Sequence, residues 1–440
     1  MQTSTVSEPP SADAAFPSPH VADEREEGDR RTAPVGITPT PSPSSQGGDE
    51  PGRTPVPPRH WVERLSLTGY RNYAGLVVEV GAEPVVLIGQ NGSGKTNLLE
   101  ALSLLAPGQG LRRAAYPELA NAGGAGSWAV AARVHTQAGA VDIGTGQTIS
   151  DNGRQGRIVR IDGDPRGGTG ALADLVEMVW VTPAMDGLFT GAAGERRRFL
   201  DRLILCFDPS YRTRANRFER AMQQRNRLLA DGVRENARFE GLETILAETG
   251  IAIAAARAEA VTALAALIAE RRERDPDSPF PWSELRLDGE IERALAERPA
   301  VDVEDQYLAT LRATRERDRA AGRTLSGPHR ADFLVTHGPK GMPARLCSTG
   351  EQKALLLGLV LAHAELVAAR RDGAAPILLL DEITAHLDAD RRAALFESIL
   401  ALGAQAWMTG TDERDFAALA GQARFLEVCD GRIAALRAPA

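Results

Sequence analysis

Gly89-Gln90-Asn91-Gly92-Ser93-Gly94-Lys95-Thr96 follows a short apolar run at 84–88 and opens a stretch of helical composition at 95–105. A strand, a glycine-rich loop and a helix form the setting in which the pattern G-x-x-x-x-G-K-[ST] carries chemistry. The glycines let successive backbone N–H groups turn inward around phosphates, and the helix N-terminus adds its partial positive charge. Lys95 is then placed to reach the β and γ oxygens of ATP, and Thr96 to offer its hydroxyl to Mg²⁺. Gly89, Gln90, Asn91, Gly92, Ser93, Gly94, Lys95 and Thr96 are the expected nucleotide cradle, and the fold class that follows is α/β.

A second motif supports the first. Ile377-Leu378-Leu379-Leu380-Asp381-Glu382 is an apolar strand that ends in two carboxylates, which places acid at the carboxyl edge of a parallel sheet, where open α/β folds bind ligands. Asp381 is the expected metal carboxylate beside Thr96. Glu382 is the expected catalytic group, since in-line attack on a γ-phosphate needs its water oriented and its proton accepted. Cys347-Ser348-Thr349-Gly350-Glu351-Gln352-Lys353 precedes a long apolar helix, with Ser348 or Thr349 suited to the N-cap and Gly350 permitting close backbone approach.

Composition divides the chain. Residues 1–59 hold 12 of the 27 prolines and few large apolar residues, the composition of a disordered tail. Residues 61–193 are expected to form the first half of the nucleotide-binding head. They include two strands between 61 and 80, and an antiparallel subdomain at 127–181 punctuated by the turn pairs Asn152-Gly153 and Asp162-Gly163. Residues 194–323 read as a helical insertion whose segments of about 30 residues would reach roughly 45 Å. Residues 324–440 return to strand and helix alternation and close the head.

With 51 Lys+Arg against 59 Asp+Glu the net charge is −8, so wholesale attraction to polyanions is excluded. Any contact with a polyanion such as a nucleic acid would have to come from local cationic clusters. Candidates are Arg112 and Arg113, the triplet Arg196, Arg197 and Arg198, and Arg212, Arg214, Arg217, Arg225 and Arg227. Only Lys95, Lys340 and Lys353 are lysine, and two of these three fall inside the motifs above. Three scattered cysteines suggest neither a disulfide framework nor a zinc site. Arg257 and Glu259 interrupt the most apolar run, at 251–268, and the N-terminus lacks a basic-then-apolar leader, so a cytoplasmic protein without a membrane span is expected.

The order of these motifs resembles ABC-type ATPases, in which the loop at 347–353 would be the signature that touches ATP held by a second subunit. Ser348 and Gly350 are its candidate nucleotide contacts, and Asp388 fits a loop crossing the same interface. From residue 61 to the C-terminus the chain resembles the RecF family, related to SMC-type heads. The resemblance is carried by Gly69-Tyr70-Arg71-Asn72-Tyr73, the cradle running into Asn97-Leu98-Leu99-Glu100-Ala101, Arg196-Arg197-Arg198-Phe199-Leu200-Asp201, Gln224-Arg225-Asn226 and Gly327-Pro328-His329-Arg330-Ala331-Asp332. It implies an ABC-type head with an antiparallel β subdomain and a helical lobe. It also implies an ATP-dependent homodimer, weak DNA-stimulated ATP hydrolysis, binding to gapped duplex and single-strand junctions, and RecR and RecO as partners. The chain departs from the pattern at 181–186, where it has Ala184 in place of the family's Thr-Pro-Glu glutamate and lacks the metal-contacting glutamine that related ATPases often carry, and at 407–411, where the switch histidine of transporters is missing and Thr409 or Thr411 is left near the γ-phosphate. A transporter ATPase fits poorly, because 253 positions separate Lys95 from Ser348. A chromosome-tethering protein would need a far longer coiled coil, and an architectural clamp would not need Glu382.

Overall fold

The computed structural model describes residues 60–124, 126–149, 155–173 and 175–436. The proline-rich stretch at 1–59 and the Asn152-Gly153 turn lie outside the described residues. In chain order the elements begin with β1 (Trp61–Tyr70), β2 (Tyr73–Glu79), β3 (Val85–Ile88), α1 (Lys95–Ser103), β4 (Ala129–Thr136), β5 (Gly139–Ile149), β6 (Gln155–Ile161), β7 (Asp164–Arg166) and β8 (Met178–Val181). There follow α2 (Ala193–Leu205), α3 (Tyr211–Ala230), α4 (Asn236–Arg274), β9 (Ser283–Asp288), α5 (Glu290–Glu297), α6 (Ala300–Ala313) and α7 (Arg315–Ala321). The chain ends with β10 (Asp332–His337), β11 (Met342–Pro343), α8 (Thr349–Arg370), β12 (Ile377–Leu380), α9 (Ala389–Leu402), β13 (Ala406–Gly410), β14 (Arg424–Cys429) and β15 (Arg432–Ala435).

The central sheet has the order β15-β14-β3-β13-β12-β8, parallel except for the β14–β15 hairpin. Strands β3, β8 and β12 are short uninterrupted apolar runs because both their faces are covered. Val85, Leu87, Ile377, Leu379 and Trp407 pack into one core with α1 and the antiparallel sheet. The alternate residues Val86, Ile88, Leu378, Leu380 and Met408 pack into the other with α2, α4 and α8. A period of two thus sends each strand into two hydrophobic cores.

A second sheet, β2-β1-β4-β5-β6-β7, is wholly antiparallel, and a third, β11-β10-β9, joins the helical region to the C-terminal part. Three features differ from the sequence expectation. Strand β8 belongs to the parallel sheet beside β12, not to the antiparallel subdomain, and its run Met178-Val179-Trp180-Val181 is fully buried. Strand β9 interrupts the helical region; it pairs with β10 in the register Asp288↔Asp332, a long-range match that local composition does not signal. Helix α4 has 39 residues, which at 1.5 Å rise is about 58 Å.

Helices α4 and α8 are long and apolar enough to cross a bilayer by length and composition alone, α4 with Arg257 and Glu259 inside its apolar stretch. In α8, 72% of the apolar window is buried inside the fold, the mark of a core helix.

Candidate nucleotide site

The loop 89–94 leaves β3 and turns into α1 through Gly94, whose φ of +112° lies in the left-handed region. The glycine is required twice over, because a Cβ there would lie 2.4 Å from Asn72 Nδ2 and 2.7 Å from the Tyr73 hydroxyl. Those two residues brace the loop. Asn72 Nδ2 donates to the Ser93 carbonyl at 3.1 Å and Tyr73 donates to the Gly94 carbonyl at 3.0 Å. Arg71 is bidentate on Glu100 of α1, with both bonds at 2.9 Å. The stretch 69–73, which the sequence marks only by family resemblance, clamps the cradle from the tip of the β1–β2 hairpin.

Lys95 is buried and donates to the carbonyls of Gly89 and Gln90 at 2.5 and 2.9 Å. Burial pushes its pKa down, opposed by the carboxylates of Glu382 and Asp381. The Ser93 hydroxyl is buried with no hydrogen-bond partner.

Strands β8, β12, β13 and β3 stand side by side, so the loops at their carboxyl ends meet. Thr96 donates to Asp381 Oδ1 at 3.0 Å, and Thr409, at the end of β13, donates to the same oxygen at 2.8 Å. The Thr409 oxygen in turn accepts the Glu382 N–H at 2.8 Å. Burial raises the pKa of Asp381, against the lowering effect of the two hydroxyls. Of the alternatives Thr409 and Thr411, Thr409 is the buried one at this edge and Thr411 is exposed. Glu382 has φ +48°, and its half-buried carboxylate lies in the field of Lys95 and Lys353.

These groups fit Mg²⁺: a hydroxyl and a carboxylate converge beside a phosphate loop, hard oxygen ligands for an ion that takes one or two carboxylates plus substrate phosphates. Among the described residues no cluster of three His, Cys, Asp or Glu competes with them as a metal site.

Ser348 is the N-cap of α8 in a capping box: its oxygen accepts from the Glu351 N–H, while Glu351 Oε2 accepts the Ser348 N–H at 3.0 Å. Lys340 forms an ion pair with Glu351. Ser348 is exposed, and among the described residues no hydrogen bond joins Ser348 or Gly350 to residues 89–96. Asp388 caps α9 through the Arg391 N–H at 2.9 Å. Near Ala184, which is exposed, the loop after β8 instead turns Asp186 toward Lys353, at 3.9 Å.

Residues 61–424 match the family model described as the RecF/RecN/SMC N terminal domain. The chain is 53% identical over 379 residues to the DNA replication and repair protein RecF of Mesorhizobium japonicum, covering 86% of this chain and 98% of that one. It is 52% identical to the RecF proteins of Rhizobium etli and Brucella suis, over 86% of this chain and 100% and 97% of theirs.

The chain belongs to the RecF family.

Solved structures of the recombination mediator protein RecF of the RecFOR pathway, as RecF-ATP and RecF-ATPrS, share the fold with a TM-score of 0.74. Each is 22% identical and covers 87% of this chain and 99% of its own. The architecture is therefore that of RecF-type ABC ATPase heads.

Against the expectation that they contact DNA, several arginines of the RecF pattern hold the helical region together. Arg225 is fully buried: it donates to Glu243 at 3.1 Å, to Asp318 and Thr324 at 2.8 Å, and to the Leu311 carbonyl at 2.7 Å. A duplex cannot reach it, so Arg225 is corrected from a DNA contact to a structural hub. Arg196 is half-buried and likewise engaged, bidentate on Asp332 at 2.8 Å and donating to the Gly191 carbonyl at 2.6 Å. Arg197 donates to the Ala331 carbonyl. Arg214 pairs with Asp208, and Arg217 with Glu248 at 3.4 Å. Arg113, Arg198 and Arg227 remain exposed; Arg112 is exposed too, though it donates to Asn97 at 2.8 Å.

Proposed function

We propose that this chain is an ATP-dependent DNA clamp of recombinational repair and replication. ATP lies in the cradle 89–96, with Lys95 turned from the loop carbonyls to the β and γ oxygens and the buried Ser93 hydroxyl given an acceptor. Thr96 and Asp381 would hold Mg²⁺, which when bound neutralises phosphate charge. A second copy of the chain places its exposed Ser348 and Gly350 against the γ-phosphate, so that nucleotide occupancy holds two subunits together. Glu382 orients the attacking water and accepts its proton, and hydrolysis, weak and stimulated by DNA, releases the dimer. The single observation that carries this reading is the bonded series from Thr96 through Asp381 and Thr409 to Glu382, built from both halves of the chain beside the phosphate loop.

The DNA is gapped duplex or a single-strand junction, met by exposed cations such as Arg112 and Arg113. RecR and RecO are the partners that membership of the family supports, and the cytoplasm is the compartment. The reading is tested by the lifetime of protein on gapped duplex after an ATP chase. Glu382→Gln should lengthen it at least about tenfold over the wild type, the loss of a general base being worth 10²–10⁴ in rate. Equal lifetimes would contradict a hydrolysis-timed clamp.

A further inference from the structure

Lys353 is 2% exposed, and its ammonium donates to the backbone carbonyl of Glu382 at 2.8 Å. It is one of three lysines in a chain whose other 48 cations are arginine. A buried ammonium must be matched by acceptors or counter-charge. The acceptor here is a peptide in an unusual conformation. Glu382 holds φ +48°, a left-handed setting that is unfavourable for a residue with a Cβ. Both of its backbone groups are tied: the N–H to Thr409 Oγ1 and the C=O to Lys353 Nζ, each at 2.8 Å.

The counter-charge comes from a third element. Asp186, in the loop after β8, places Oδ2 3.9 Å from the ammonium, and its Oδ1 is buried without a hydrogen-bond partner. Strands β8 and β12 are parallel neighbours with Val181 opposite Leu380, so both loops leave the same sheet edge beside one another. Lys353 itself lies in the opening turns of α8, whose N-terminus is fixed by the Ser348–Glu351 capping box and the Lys340 ion pair. A shift of that helix start therefore carries the ammonium, and with it the Glu382 peptide.

We propose that Lys353 is the positioning residue for Glu382, tying the helix that begins at Ser348 to the peptide that aims the carboxylate, with Asp186 as the counter-charge. Contact made at Ser348 by the second subunit then tells on the hydrolytic group of the first. The inference rests on the reading of Glu382 as the general base.

The test compares wild type, Glu382→Gln, Lys353→Met, Lys353→Arg and Asp186→Asn for affinity toward a fluorescent ATP analogue, KM and kcat of DNA-stimulated hydrolysis, and lifetime of the ATP-bound dimer. Met keeps the stem and the burial but donates nothing. Lys353→Met should leave affinity and KM within about threefold, lower kcat at least about tenfold, the equivalent of 1.36 kcal/mol in the barrier, and lengthen dimer lifetime in proportion. Lys353→Arg should recover part of kcat, and Asp186→Asn should lower kcat several-fold at unchanged KM. If Lys353→Met melts out, Asp186→Asn decides alone, and wild-type turnover there overturns the proposal. Wild-type kcat in a folded Lys353→Met overturns it too, as does a parallel loss of affinity, kcat and melting temperature. Turnover that ignores Glu382→Gln overturns the general-base reading and the inference with it; a normal Glu382→Gln loss beside an unaffected Lys353→Met sinks the inference alone.

Discussion

The Thr96 hydroxyl donates to the Asp381 carboxylate at 3.0 Å, although 285 positions separate the two residues. The whole helical region lies between them in sequence, yet β3 and β12 are separated in the sheet only by β13. Asp381 is anchored on one oxygen by two threonines, which fixes the carboxylate before any ligand arrives. Asp381→Asn should weaken ATP binding in the presence of Mg²⁺ by about 10- to 100-fold, the range found when groups that order a metal site are altered, and leave binding in excess chelator nearly unchanged. Fluorescence titration in both buffers checks it.

The burial of Arg225 separates two roles that arginine could play in an acidic protein. Removing one partner of a buried ion pair costs about 3–5 kcal/mol, because the remaining charge is left uncompensated. Arg225→Met should fall in that range in denaturant melts, with Glu243 still held by Arg315 and Asp318 left to the Thr314 hydroxyl and the Leu325 N–H. Its folded fraction should keep the wild-type salt dependence of DNA binding. Arg113→Ala should do the opposite: unchanged stability and a salt slope smaller by about 1.

His363, on α8, is fully buried and bonded through Nε2 to the Leu203 carbonyl at 2.8 Å. Burial pushes its pKa down to about 4. The unfolded chain takes up this proton near pH 6.5, so the contribution is fully present above that pH and is lost progressively as pH falls toward 4. The loss amounts to about 3 kcal/mol, at 1.36 kcal/mol for each pH unit of separation. His363→Gln should flatten that part of the stability profile, measured by urea melts between pH 4 and 7.

Much of the site was legible because its residues lie at strand ends that the apolar runs mark out: 84–88 before the cradle and 377–380 before Asp381. The capping role of Ser348 was legible for the same reason, since Ser-x-x-Glu ahead of an apolar helix has a local mechanism. What escaped was non-local. Strand β9 is defined by its pairing with β10, and β8 by its place beside β12, neither of which is written in neighbouring residues. Arg225 and Arg196 read as surface cations because their carboxylates, Glu243, Asp318 and Asp332, come from distant segments. Asp186 carries no local signal in its loop, and only the fold brings that carboxylate to Lys353.

The claim on which the rest depends is that ATP joins two copies of this chain, one holding it in the cradle and the other closing over it from Ser348. The most direct measurement is solution molar mass by light scattering, with and without ATP and Mg²⁺, for Glu382→Gln, Ser348→Arg and Lys95→Ala. The account predicts a doubling of mass on adding ATP for Glu382→Gln only, with Ser348→Arg remaining a monomer that still binds nucleotide. A monomer throughout, or an ATP-dependent dimer in Ser348→Arg, would contradict it.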